Sequence, residues 1–568
     1  MNLDLKYLGS SGLIEGATSS ALSFQPNLAR GKVFFDQSLK RPLHFREAIS
    51  ALHDVVVGDF RFQKRDKSVY EAWKAEQTRQ EGELRAAVVD SEKRREMERI
   101  RGEQPPPNLQ ADFHRMHSLY WTARRQWATE LMRNDPEMFR ALVPCDPVVT
   151  VAPDTVFFEC FAKDESSYGC LFVDRDAFSG SVSSGLGTTN VDYSIALFEH
   201  FQSLRTYRET RLLVDPTGFE VKVESAGSYR EEKIDLPPSW LKGFGQLSAA
   251  MALPSREVEL SVDTVYSLLA HLRRHREKTG PRSIEFHLTP GRPVSLVLQP
   301  WATKIESHGK PFVGEKPEII KVWGRRRLAT LARLLPITER FTVQLLGSGL
   351  PSIWTAHLGD MRFVLGLSGW TTNDWTSGSN LELLAGAFVP ELRAAATIRA
   401  HLAQHHVASL DALSRLVEVS RPALIGSLHH LAQQGQVIFD FSQKVYRFRE
   451  VMPAPLSEAV LGPPSPELVA GLRAFKQSGV SFERRELLSN GRALVIARVR
   501  SEGGSREGVR CEAVFDADGG YSKATCGCDH FRQFRLRKGP CRHLISLKLT
   551  ESAATLGLTD SKQKELLH

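Results

Sequence analysis

Apolar and polar positions recur along this chain with two different periods, and the change from one to the other divides it. Residues 1–65 carry short apolar runs such as Val33-Phe34-Phe35 between turns rich in glycine and serine, and a helix is expected from Phe45 to His53. From Asp66 to Arg101 the residues are mainly Glu, Arg, Lys, Gln and Ala, all good helix formers. Apolar residues are scattered among them at positions such as Tyr70, Trp73, Leu84, Val88 and Met97, so a long, largely solvated helix is expected. Pro105-Pro106-Pro107 ends it. Leu119, Tyr120, Ala123, Trp127 and Leu131 then give a second helix an apolar stripe. Together the two form a projecting helical hairpin over 66–142, within an N-terminal region of 1–149. Its shape suits docking to a partner, and its charged faces are explained equally well as solvated surface.

Between 150 and 375 the period falls to two, as in Ile284-Glu285-Phe286-His287-Leu288, which predicts strands with one face buried and the other free or covered by helices. Three units recur. Thr188–Tyr193, a helix Ile195–Leu204 and strands Thr210–Val214 and Phe219–Val223 form the first. Glu257–Ser261, a helix Asp263–Arg276 and a hairpin of Ile284–Leu288 with Val294–Leu298 form the second. Glu318–Trp323, a helix Arg325–Leu335 and strands Phe341–Leu345 and Phe363–Leu367 form the third. The expectation is an α+β, multidomain chain whose body is built of repeated strand-helix-hairpin units. That order resembles the β-α-β-β construction of sliding-clamp domains in topology alone, since no motif residue carries it. Arg325-Arg326-Arg327 with Arg333 makes one helix basic, as an exposed face or a phosphate contact.

Residues 391–452 form a further domain. Leu392–Gln404 is a predicted helix, Ser409 caps a second, and Ser420-Arg421-Pro422 opens a third that runs to Gln433 and ends at Gly435. Val437–Phe441 and Lys444–Phe448 make a hairpin, and Leu413, Leu416, Leu424, Leu428 and Leu431 supply a core. Three helices followed by a β-hairpin resemble a winged helix-turn-helix. In DNA-binding members the third helix enters the major groove. Here Arg421 is its only fixed positive charge up to Gln434, with His429, His430, Gln433 and Gln434 as polar candidates. The domain is nearly neutral, which favours protein over DNA as its contact. A proline-rich linker at 453–466 leads to the last domain, 467–568.

Composition narrows the class. With 42% hydrophobic and 25% charged residues the chain is an ordinary globular protein and not a disordered one. The net charge of +8 tolerates a nucleic-acid partner without demanding one. Met1–Lys6 lacks the pattern of a signal peptide and no apolar run is long enough to span a bilayer, so no membrane association and a cytoplasmic location are expected. Three of the seven cysteines fall in one motif. The remaining Cys145, Cys160, Cys170 and Cys511 are expected to be buried thiols in a reducing compartment.

The motif is Cys526-Gly527-Cys528, a spacer of twelve residues, and Cys541-Arg542-His543. Thiolates and a neutral imidazole suit tetrahedral zinc, and four protein ligands close its shell, so Cys526, Cys528, Cys541 and His543 are expected to hold one structural Zn2+. Gly527 is expected to permit the tight turn between the sulfurs, and a helix beginning near Pro540 to carry Cys541 and His543. His530 is a spare ligand or a neighbour. A chance cluster or a disulfide is the alternative. Val509–Phe515, the turn Asp516–Gly520, Tyr521–Thr525, the knuckle, the spacer, the Cys-x-His pair and the apolar residues Leu544, Ile545, Leu547 and Leu549 follow in the order of the SWIM zinc-finger family, which this region resembles. The resemblance implies a DNA- or protein-interaction element. In bacterial relatives such modules accompany MoxR-type AAA ATPases with von Willebrand A proteins, or Swi/Snf-class ATPases.

Around the knuckle lie Arg532, Arg535, Arg537, Lys538, Arg542 and Lys548, interleaved with Phe531 and Phe534, a combination suited to a nucleic-acid strand or to an acidic protein. No nucleophile elbow, His-Glu-x-x-His, P-loop or dinucleotide fingerprint occurs. The leading expectation is a non-catalytic adaptor or scaffold that assembles with protein partners, among them an ATPase-containing complex. Nucleic-acid binding through the basic zinc loop, and an enzyme assembled from scattered residues such as Asp360 and Asp374 in the α+β body, are the alternatives.

Overall fold

The computed structural model describes residues 33–56, 147–162, 166–191, 255–275, 283–322, 325–346, 351–368, 390–451, 466–488, 492–501, 507–515, 521–535 and 540–555. Shorter stretches at 5–6, 12–15, 19–24, 201–202, 204–206, 209–214, 232–233 and 238–250 and scattered positions between 98 and 126 complete them. The chain forms two compact units, Arg61–Val143 and the remainder. Most of the smaller unit, with Pro105–Pro107 and nearly all of the hairpin expected over 66–142, lies outside the described residues. Those that are described are exposed, and all but the turn residue Asn108 are helical, as at His114–Met116.

In the larger unit the fold is α+β. Its frame is an antiparallel sheet of eight strands, in the spatial order β12 (Ser255–Leu260), β17 (Arg340–Leu346), β18 (Ser352–His357), β19 (Met361–Leu367), β7 (Ser167–Asp174), β6 (Thr155–Phe161), β5 (Val148–Val151) and β9 (Gly187–Asn190). The pairing of Met361–Leu367 with Val173–Ser167 joins strands from two distant stretches of sequence into one surface. Every residue of β6 and β19 is buried, so the centre of the sheet is covered on both faces, where one free face had been allowed for. Helix α1 (Pro42–Val56) packs on β6, β7 and β19. Gly169 admits it: a Cβ there would meet Leu52 Cδ1 at 3.0 Å and Val55 Cβ at 3.3 Å. A five-stranded sheet runs β2 (Gly12–Glu15), β3 (Ser19–Phe24), β10 (Glu209–Val214), β4 (Phe34–Leu39), β8 (Phe178–Gly185), with β10 parallel to β3. A four-stranded sheet runs β15 (Thr303–Glu306), β14 (Ser295–Leu298), β13 (Ile284–Leu288), β16 (Glu318–Val322). A short pair joins β1 (Leu5–Lys6) to β11 (Glu232–Lys233).

The expected units occur in order but do not pair as units. Of the first, β9 lies in the eight-stranded sheet and β10 in the five-stranded one, while Phe219–Val223 and most of the helix lie outside the described residues. Of the second, β12 joins the large sheet, whereas the hairpin β13–β14 sits in the four-stranded sheet beyond helix α3 (Val262–Arg274), which α2 (Pro238–Ala250) precedes in the chain. The third contains an additional strand, β18, and its helix is a 3-10 helix, Arg325–Arg333. Leu328, Leu331 and Leu334, spaced by three, are all fully buried, which is the period of that helix and not of an α-helix. Its basic residues divide: Arg327 is buried and donates to the Ser166 carbonyl, the half-buried Arg333 pairs with Glu47 and Asp54, and Arg326 is exposed.

Within the larger unit, residues 390–451 have the topology of a winged helix. Helices α4 (Leu392–His405), α5 (Leu410–Leu416) and α6 (Arg421–Gln433) surround a three-stranded sheet ordered β20 (Val407–Ser409), β22 (Val445–Phe448), β21 (Val437–Asp440). Ser409 and Ser420 cap as expected, each accepting a backbone N–H with its side chain. Leu413, Leu424, Leu428 and Leu431 enter the core with Ile398 and Leu402; Leu416, assigned there from the sequence, is 38% exposed because α5 ends at that residue.

The wing, β21–β22, lies against the large sheet. Arg447 is fully buried; its Nε donates to Asp440 at 2.9 Å and its Nη1 to both carboxylate oxygens of Asp154 at 2.9 Å. Arg449, equally buried, donates to Glu159 at 3.1 Å, and Tyr168 donates to the same carboxylate at 2.7 Å. Arg362 bridges to Asp174 and Ser442, and Lys444 reaches Glu257 at 3.0 Å. The third helix is covered too: Leu424 to His429 are all buried, and α6 packs on α2.

Two outcomes follow for stability. Arg447→Ala leaves the Asp440 carboxylate buried without its partner and should cost about 3–5 kcal/mol, seen as a shift to lower urea of the transition that includes the winged helix; an unmoved transition contradicts this pairing. Burial, with the Lys548 charge nearby, lowers the pKa of His429 to about 4, against 6.5 in an unfolded chain. Between those values the unfolded chain binds a proton that the fold refuses, so this contribution is absent above pH 6.5 and destabilises increasingly down to pH 4, at up to about 1.4 kcal/mol per pH unit. The fall in Tm from pH 7 to pH 5 should be smaller in His429→Gln than in the unchanged chain. Equal falls would contradict it.

Candidate metal centre

The C-terminal module consists of a sheet ordered β23 (Val480–Leu487), β24 (Ala493–Val499), β25 (Val509–Phe515), β26 (Tyr521–Cys526), a one-and-a-half-turn helix α8 (Asp529–Phe534), and two longer helices, α7 (Pro466–Lys476) and α9 (Arg542–Thr555). Most of the expected linker at 453–466, up to residue 465, is outside the described residues. Leu468, Leu472 and Phe475 of α7 pack on Ile545 and Leu549 of α9. The crossing needs Gly471, where a Cβ would lie 2.7 Å from the Ile545 side chain.

This packing carries the motif into place from two directions. Cys526 ends β26, and Cys528 caps α8, its Sγ accepting the Phe531 N–H at 3.4 Å. Cys541 stands just before α9, where its carbonyl accepts the Ile545 N–H, and His543 lies in the first turn. The side-chain donor atoms of Cys526, Cys528, Cys541 and His543 all lie within 4.8 Å of one another. A tetrahedral ion with sulfur ligands at about 2.3 Å sets its donors roughly 3.8 Å apart, and Cys526 Sγ is 3.8 Å from His543 Nδ1. The donor set therefore fits one metal ion. His543 Nε2 is 3.0 Å from Ser501 Oγ, and a proton donated there leaves Nδ1 facing the sulfurs as a ligand.

The Cys511 S–H, donating across 3.5 Å, together with the neighbouring Cys528 and Cys541 thiols, pulls the Cys526 thiol well below its usual range. Burial works to lower His543, and the Cys526 and Cys528 sulfurs outweigh it, raising its pKa to about 9. His530 is not among the four donors; its ring lies against Phe534 at 5.1 Å. Gly527 is not needed for its backbone freedom, because its φ is not positive and a Cβ would make only ordinary contact with Val509. Its N–H, donating to the Arg510 carbonyl, continues the strand pairing to the knuckle.

The surrounding basic residues have separate roles. Arg542 is held by Glu467, which accepts its backbone N–H at 2.7 Å and its Nε at 3.1 Å, clamping α9 to α7. Lys548 is fully buried, its Nζ 5.1 Å from the Tyr521 ring. Phe531 is buried beneath the knuckle with Arg535 over its ring at 5.6 Å, so it is a packing residue and not a surface for stacking. Phe534 is half-buried; Arg532 and Arg535 are exposed, Arg532 beside Asp529 at 3.4 Å. Arg537 and Lys538 lie outside the described residues, as does Cys145. Cys160, Cys170 and Cys511 are buried thiols. The sequence did not place Cys511 beside the cluster, which hairpin counting alone misses because a register shift between Val514 and Phe515 intervenes.

No family model and no curated protein matches the chain. Among solved structures it is similar to the proliferating cellular nuclear antigen of Entamoeba histolytica, at 14% identity and a TM-score of 0.28, over 40% of this chain and 89% of that one. It is similar also to a DNA polymerase III beta subunit of Eubacterium rectale, at 7% identity and a TM-score of 0.27, over 40% of this chain and 57% of that one. No helix among the described residues is long and apolar enough to cross a membrane.

The purified chain should carry one metal ion, measured by elemental analysis. Cys541→Ser removes a donor and should bring bound metal close to zero, and chelation should lower the thermal transition of the module, because metal binding to such a site is also folding energy. Full metal retention in Cys541→Ser would remove the site.

Proposed function

We propose that this chain is a non-catalytic, zinc-binding adaptor that assembles with protein partners through its C-terminal SWIM-type module. The observation that carries the proposal is the closed donor set: three sulfurs and one imidazole, all within 4.8 Å, fill a tetrahedral shell and leave no position for a substrate. Sulfur and imidazole donors in that number favour zinc over the harder cations that prefer oxygen. The ion would tie the end of β26 to the start of α9 and hold the short helix α8 out at the surface. Burial of the third winged helix and its wing supports the same reading, since both elements that would meet DNA are covered by the chain's own body. Phe531 supports it as well: a strand-binding site needs exposed rings between its cations, and this ring is 4% exposed. The partner class implied by the resemblance is an ATPase-containing complex.

Exposed Arg532 and Arg535 favour nucleic acid as the second reading, and one titration separates the two. Zinc-loaded chain is titrated with labelled single-stranded and duplex DNA across a salt series. The adaptor reading expects nothing tighter than the non-specific range of about 10⁻⁴–10⁻⁶ M at physiological salt. Binding tighter than that, with a steep salt slope lost on charge reversal of Arg532, Arg535 and Arg537, would replace it with the nucleic-acid reading.

A further inference from the structure

Cys511 is the sulfur of this module that the donor set leaves over. It lies on β25 directly opposite Cys526 on β26, and its Sγ is 3.5 Å from the Cys526 Sγ. The Gly527 N–H donates to the Arg510 carbonyl, which makes 510 and 527 a hydrogen-bonded pair and the adjacent 511 and 526 a non-hydrogen-bonded one. Facing residues of that kind have Cα atoms about 4.5 Å apart, inside the range of about 4.4–6.8 Å that a disulfide spans. The two thiols therefore stand where a bond can form without backbone movement. Cys511 and Cys526 are 1% and 7% exposed, and the adjoining Cys528 is half-buried at the rim, so the approach suits a small oxidant and not a protein.

We propose that Cys511 and Cys526 form a peroxide-sensitive pair whose oxidation withdraws Cys526 from the metal centre. The Cys526 sulfur attacks one oxygen of hydrogen peroxide; the O–O bond breaks and hydroxide departs, leaving a sulfenic acid. The Cys511 sulfur then attacks the Cys526 sulfur, the S–O bond breaks, and the departing hydroxide takes the Cys511 proton to form water. The pair gives up two electrons, peroxide accepts them, and the first hydroxide is protonated from solvent. Cys511 is the resolving thiol because the other sulfurs near Cys526 are committed to the ion. With three donors left the centre releases its metal. Metal release rests on the zinc reading above; formation of the disulfide does not.

The test uses the full-length, metal-loaded chain treated with hydrogen peroxide, followed with a chromogenic zinc chelator and by peptide mapping after alkylation. The expected result is zinc release in step with a cross-linked peptide pair containing Cys511 and Cys526, both reversed by dithiothreitol and re-addition of zinc. Cys511→Ser, which keeps all four donors, should still bind one ion and release it several-fold more slowly under peroxide. Should that variant fail to fold, the map of the unchanged chain decides alone. Cys511 remaining free to alkylate after oxidation, or cross-links confined to Cys526, Cys528 and Cys541, would overturn the proposal. A chain that yields the 511–526 cross-link but never carried metal would keep this pair and remove the zinc reading.

Discussion

Two guanidinium groups with no access to solvent, those of Arg447 and Arg449, govern how the body and the winged helix are joined. Moving an ion out of water carries a penalty of several kcal/mol that only close, well-directed counter-charges offset. Asp440 supplies one from within the same hairpin; Asp154 supplies another from the turn between β5 and β6, and Glu159 a third from within β6. Two strands of the wing are thus bound to the sheet by interactions that tolerate little change of register. Gln344 donating to the Phe441 carbonyl and Lys444 meeting Glu257 extend the contact to β17 and β12. A winged helix held in this way serves as a fixed bracket.

The C-terminal module rests on a different balance. Its outer strand β23 has five consecutive exposed residues, where Glu483 pairs with Arg498 and Arg510 at the surface, while Arg485 reaches the buried Glu551 of α9. Exposed pairs of this kind add about 0–1 kcal/mol each. Cohesion must then come from the apolar layer of Val495, Ala497, Val499, Ala513 and Phe515 against Leu544 and Leu547, from the contact of α7 with α9, and from the Cys3His cluster at the edge. A small module with thin apolar layers gains more from a cross-link at such a cluster than the large sheet would.

Local signals in the sequence were legible where local physics decides. Ser409, Ser420, Pro422 and Gly435 bounded helices correctly because caps and proline act within a turn or two. The four donors were legible because ligand spacing is itself short-range. Strand partners were not: alternation along Ile284–Leu288 tells which side chains share a face and says nothing of which strand lies alongside, so units that looked closed were shared among three sheets. Arginines misled in the same way. Arg327 and Arg542 read as outward charge, and the sequence carries no sign that Arg447 and Arg449 are buried; each of the four meets an acceptor distant in sequence, Ser166, Glu467, Asp154 and Glu159. Cys511 was hidden by one residue. A hairpin symmetric about Asp518 places it opposite Thr525, on the far face; the irregularity at Val514 and Phe515 restores it to Cys526.

The same inward turning reduces the charge left for a partner near the Cys3His cluster. Six cations cluster there in sequence, yet Arg542 is neutralised by Glu467, Lys548 is buried beside Tyr521, and Arg532 faces Asp529. Arg535 remains outward among the described residues of the loop, lying over the Phe531 ring. A field from so few exposed charges fades within a Debye length of about 8 Å at physiological salt. It can steer an approaching acidic surface and speed encounter, which is what rim charges do at protein interfaces. Firm hold on a phosphate backbone requires many simultaneous contacts along it. Among its described residues the loop offers a short helix, the outward Arg532 and Arg535 and a buried Phe531 ring, which is fewer contacts than a bound strand would use.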